Sequence, residues 1–201
     1  MLTMKKITTT AILLGILLLG VIPAHATIWT FRPDPIDIYD LDHRWYYEWG
    51  VDWAEGQTET VTEVQLKFHN IRDYIVEPDD ILYMNLLDES TPGVTAYWDE
   101  AEFGNAWAGQ GVEITTWTDP LGAPNPAVDL TISFAELGKI DDFILAASDG
   151  NFGLAFDPDC HYNNDGIELI VETSAPEPGT LTLLALGLSM AGGVACRRRK
   201  K

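Results

Sequence analysis

Three stretches of this chain alternate between apolar and polar residues, and that period of two restricts its middle to β-strands. From Trp45 to Trp53 the odd positions are Trp45, Tyr47, Trp49, Val51 and Trp53, with Tyr46, Glu48, Gly50 and Asp52 between them. Thr62, Val64, Leu66 and Phe68 alternate with Glu63, Gln65, Lys67 and His69, and Val128, Leu130, Ile132 and Phe134 with Asp129, Thr131 and Ser133. Successive side chains of a strand leave on opposite faces, so each stretch carries one face to bury. Ile81 to Leu87 is apolar nearly throughout, as in a strand covered on both faces. Val94–Trp98, Val112–Trp117, Phe152–Phe156 and Ile167–Val171 supply shorter strands. The period changes once, where Ile140, Phe143, Ile144 and Ala147 fall at i, i+3, i+4 and i+7 and predict a short helix ending near Gly150. Pro33 and Pro35 make residues 31–43 an extended, turn-rich piece. Residues 99–111 read as a long loop and Asp119–Pro126 as a proline-rich turn. The expected architecture is all-β, an antiparallel β-sandwich, jelly-roll-like, with one short helix. The missing βα alternation argues against a parallel α/β fold.

Both ends carry segments of another kind. Lys5 and Lys6 precede an apolar run from Ala11 to Ile22, and Ala24-His25-Ala26 is a small-x-small cleavage site. Residues 1–26 therefore read as a secretory signal peptide, with signal peptidase and the Sec machinery as partners and Thr27 as the first mature residue. At the other end, Pro176-Glu177-Pro178 cannot continue a helix or pair within a sheet. An uncharged run from Leu181 to Cys196 follows, which as a helix at 1.5 Å per residue reaches roughly 24 Å, a little short of the apolar thickness of a bilayer, with Thr180 and a snorkelling Arg197 to supply the rest. Arg197, Arg198, Arg199, Lys200 and Lys201 then hold the C-terminus in the cytoplasm.

The order Pro-Glu-Pro, apolar helix, basic cluster in residues 176–201 resembles the PEP-CTERM sorting signal of exopolysaccharide-producing Gram-negative bacteria. The resemblance implies recognition by an exosortase, a membrane protease-transpeptidase. It also implies transient anchoring in the inner membrane through the tail, then release to the cell surface or extracellular matrix. Residues 27–175 are left as the folded domain.

That stretch holds five basic residues (Arg32, Arg44, Lys67, Arg72, Lys139) against 30 acidic ones, a net charge of −25. Such a charge repels nucleic acid and anionic lipid and attracts divalent cations. Cys160 is the only cysteine there, so no disulfide forms within the processed domain.

The piece richest in ligand-type residues is Asp157 to Gly166. Asp, Asn and Gly supply hard oxygens on a chain that curls, so Asp157, Asp159, Asn163 and Asp165 are candidate Ca²⁺ ligands. The same residue types also make ordinary turns. Asp37, Asp40, Asp42 and His43 form a second polar cluster that could complete a metal site if it lies near that loop. Cys160 and His161 point to opposite faces of an extended chain and cannot pair as nucleophile and base. No zinc-type ligand spacing occurs. Trp98, Trp107 and Trp117 lie in or beside loops and are candidate sugar-stacking residues, whereas the row from Trp45 to Trp53 reads as core. No catalytic motif is present, so an enzyme is not expected. The expected function is an exported, structural or adhesive surface or matrix protein. The alternative is a lectin-like module for exopolysaccharide, with Ca²⁺ as its candidate ion.

Overall fold

The computed structural model describes residues 26–54, 59–74, 80–100, 104–119 and 126–174. All but Ala26 of the stretch read as a signal peptide, and all of the tail 176–201, lie outside them. Each alternating stretch becomes a strand. The strands are β1 (Ala26–Phe31), β2 (Trp45–Asp52), β3 (Thr60–Asp73), β4 (Leu82–Leu87), β5 (Gly93–Trp98), β6 (Val112–Trp117), β7 (Val128–Ser133), β8 (Asn151–Pro158), β9 (Tyr162–Asn163) and β10 (Gly166–Ser174). One α-helix, α1 (Ile140–Ala146), sits between β7 and β8 among the described residues.

The strands form two five-stranded sheets. The first runs β1-β10-β3-β7, with β9 also on β3; the second runs β5-β2-β8-β4-β6. Their ladders are antiparallel. Both sheets contribute to one core. Val64, Leu66 and Phe68 of β3 and Leu169 and Val171 of β10 share it with Trp49 and Val51 of β2, Met84 of β4 and Phe152 and Leu154 of β8. Phe68 meets Phe156 edge to face across the two sheets, with ring centroids 5.9 Å apart.

β4 and β8 are buried on both faces, as the apolar run at 81–87 predicts. The inner residues join the main core. The outer ones, Leu87 and Ala155, lie under Trp107 of the 104–111 loop in a second small cluster. Gly111 lets that loop approach, because a Cβ there would lie 2.0 Å from the carbonyl oxygen of Leu86.

β3 is longer than its sequence pattern suggests, because a bulge divides it. Phe68 pairs with Leu130 but Ile71 with Val128, and Asn70 takes the extra position at φ 50°. Beyond the bulge the buried phase moves from even to odd residues, so Ile71 and Asp73 point inward. β1 and β9 have no counterpart in the sequence reading. α1 buries Phe143 and Ala146, whereas Ile144, expected on its inner face, is 43 % exposed. The helix is only two turns long and continues into a tighter turn at Ala147–Asp149, which rotates the buried stripe.

Replacing Phe156 by alanine removes a fully buried ring that touches both sheets. We expect a loss of about 3–5 kcal/mol, read as a lower urea midpoint with an unchanged denaturant slope.

Candidate functional site

The row of rings on β2 runs from core to surface. Trp49, Val51 and Trp53 are buried, Tyr47 is fully buried, and Trp45 at the start is only half-buried. β5 is the edge strand beyond β2, and its register sets Trp98 opposite Trp45, Ala96 opposite Tyr47 and Val94 opposite Trp49. Direct cross-strand partners share a face, so the inner face of this sheet continues outward past the core. There Trp45 and Trp98 meet edge to face at 5.2 Å, and Trp98 remains 55 % exposed. A groove of about 290 Å³ opens beside them, lined by Tyr39, Asp42, Trp45, Tyr47 and Ala96.

The wall of the groove is the segment before β2. Ile38, Tyr39, Asp40 and Leu41 all have positive φ, between 44° and 56°. Left-handed backbone costs L-residues roughly 1–2 kcal/mol each. Burial compensates: Ile38 and Leu41 are fully enclosed in the core. Asn164 also clamps the segment, its side-chain amide donating to the carbonyl of Asp37 (3.0 Å) and its backbone N–H to Asp40 Oδ1 (3.2 Å). This handedness turns Tyr39 outward between two buried neighbours, where it stacks on Tyr47 at 6.4 Å and is 56 % exposed. Asp42 supplies the polar lining. The guanidinium of Arg44 donates to its carboxylate and holds its pKa down at about 2. The Tyr47 hydroxyl donates to the Asp42 carbonyl, and burial pushes that phenol up.

The structure corrects part of the sequence reading. Trp107 offers no face to a ligand. It is 6 % exposed and packed against Tyr46 at 5.3 Å and Tyr97 at 6.0 Å. Trp117 is half-buried and lies against Tyr162 at 5.5 Å. Of the three tryptophans read as stacking residues, Trp98 alone is exposed. Trp45, read as core, does pack against the core, and together with Tyr39, which carried no signal, it lines the groove beside Trp98.

The four residues read as calcium ligands are divided among other partners. Asp157 accepts the N–H of Ala106 (2.5 Å) and Asp159 that of Gly104 (2.9 Å), so these two acids latch the 104–111 loop to the outer face of the second sheet. Asn163 is in the ladder opposite Arg72. Asp165 accepts from the Asn70 side chain at 2.7 Å. Among the described residues the carboxylates of Asp157, Asp159 and Asp165 do not gather within reach of one ion. Asp40 does reach the loop at Asn164, yet among the described residues no group of three acidic, histidine or cysteine ligands forms there. Cys160 is buried and donates to Asp73, while His161 turns to the Tyr74 ring at 5.8 Å.

Residues 174–200 match the PEP-CTERM protein-sorting motif. No curated protein matches the chain. The tail is thus a sorting signal that implies export and membrane anchoring, with exosortase as the processing partner. Among the described residues no helix is long and apolar enough to cross a membrane, and the apolar run 181–196 falls outside them.

Asp157 is fully buried. Burial raises its pKa to about 7, with Asp99 and Asp159 adding to the rise and the Ala106 N–H opposing it. Between about pH 3.8 and 7 the folded chain keeps a proton that the unfolded chain has lost. This group's contribution to stability therefore falls as pH rises through that window, by up to about 1.4 kcal/mol per unit. We expect Asp157→Asn to flatten the decline in melting temperature from pH 5 to pH 8, measured beside the parent protein.

Proposed function

We propose that this chain is an exported, exosortase-processed protein of the cell surface or extracellular matrix, whose domain is a non-enzymatic jelly-roll module that binds carbohydrate at Trp98 and the adjoining groove lined by Tyr39 and Trp45. With β5 and β9 set aside, the sheets read β1-β10-β3-β7 and β2-β8-β4-β6. That is the strand order of an eight-stranded jelly roll, an architecture used by lectin domains among others. The fold selects no function by itself, so the reading rests on the groove.

One observation carries it: a tryptophan more than half exposed, held edge-on by a second tryptophan beside a cleft with a paired carboxylate. The CH groups of a pyranose lie well against an indole face, and the contact loses little entropy when the ring is already fixed. Asp42 can accept from sugar hydroxyls, and Arg44 can donate to them. The strongly acidic domain repels polyanions, so a neutral polysaccharide fits best.

The test is retention of the full chain on exopolysaccharide from the producing strain, with calcium and again with chelator. Retention is expected in both buffers. Trp98→Ala should weaken it at least tenfold while lowering the melting temperature only slightly, because the ring is more than half exposed and loses one edge-to-face contact with Trp45. Equal retention of parent and variant removes the groove from the reading. No retention of the parent rejects carbohydrate and leaves a structural or adhesive role through protein partners.

The processing step has its own test. With Glu177 and Pro178 both changed to alanine, immunoblots of fractionated cells should find the tail-bearing precursor in the membrane fraction. Normal release of a shortened product would contradict exosortase recognition of Pro176-Glu177-Pro178.

A further inference from the structure

The second buried polar cluster lies at the end of β3, away from the groove. Asp73, Asp80 and Cys160 come together there, with one ligand atom from each within 4.8 Å of the others. They are 2 %, 5 % and 3 % exposed. Three separate pieces of chain deliver them. Asp73 ends β3 and faces inward only because the Asn70 bulge shifts the strand's phase. Asp80 precedes β4, and Cys160 lies in the turn between β8 and β9. Asp73 pairs directly with Tyr162 of β9, so the two side chains leave the ladder on one face. Tyr162 is fully buried, and its hydroxyl has no hydrogen-bond partner. That phenol lies within the electrostatic reach of Cys160, Asp73 and Asp80.

A buried phenol without a partner is costly, and so are two adjacent buried carboxylates. A divalent cation held between the two carboxylates and the thiol suits this geometry and would give the phenol oxygen a partner.

We propose that Asp73, Asp80 and Cys160 form a closed structural site for a zinc-class divalent ion, with the Tyr162 oxygen as fourth donor. The donor set selects the class. Zinc accepts thiolate and carboxylate together in four-coordinate sites, whereas calcium and magnesium require six or more oxygens and do not use sulfur. Binding displaces the thiol proton, which Cys160 now donates to Asp73 Oδ1 at 2.7 Å. The ion would tie the end of β3, the start of β4 and the β8–β9 turn together, as a disulfide would in a domain with a second cysteine.

The full chain, purified in detergent without chelator, would be assayed for bound metals, then stripped and titrated with Co²⁺. One zinc-class equivalent per chain is expected, with a near-ultraviolet cobalt–thiolate charge-transfer band. Cys160→Ser should abolish the band, and Asp80→Asn should weaken cobalt binding at least tenfold. The band in the parent protein reads the site directly, so a variant that fails to fold does not spare the proposal. Absence of the band in the parent, binding of calcium but not zinc or cobalt, or unchanged binding in both variants would overturn it.

Discussion

The strict alternation of β2 is the constraint on which the rest of the structure depends. One face of that strand carries a continuous row of large apolar groups, and it must be covered. Where β3 and β10 lie opposite, the row becomes core. At the end paired with β5, Trp45 and Trp98 continue the same face into a groove. The groove is therefore the unfinished end of the core, made rigid by the ladder that holds the buried part. Burying Ile38 and Leu41 offsets the left-handed turn that walls it.

The acidic composition has a second consequence inside the domain. Asp73, Asp80, Asp99, Asp157 and Asp159 are all buried. A buried carboxylate is stable only when hydrogen-bonded, protonated or paired with a cation. Asp157 and Asp159 take the first course and hold the amides of Ala106 and Gly104 over the outer face. Burial drives Asp157 toward the second as well, since its other oxygen has no hydrogen-bond partner. The acids that resemble ligands in sequence thus fasten a loop. Asp73 and Asp80, which have no ligand-like spacing, lie beside the thiol.

Much of the fold was legible because periodicity reports which face is wet. Val64, Leu66 and Phe68 are buried where the alternation puts them, and β4 is covered on both sides as its apolar run requires. The alternation of Thr27, Trp29 and Phe31 with Ile28 and Thr30 that makes β1 is short, begins against the stretch that reads as a cleavage motif and stops before two prolines, so it carries little signal. The bulge at Asn70 left no pattern to read, since His69-Asn70-Ile71 simply ends the alternation. Trp107 and Trp98 look alike in sequence, each in or beside a loop. Only the fold of residues 104–111 onto Ala155 and Leu87 buries one and leaves the other exposed.

The sequence by itself determined the sorting tail, the β architecture and the inward face of most strands. These depend on local composition and on side-chain period, which neighbouring residues set together. The tertiary structure decided which rings face solvent and which carboxylates meet. Those outcomes depend on where one sheet overhangs the other, and on one inserted residue in β3 that brings Asp73 beside a cysteine 87 positions away.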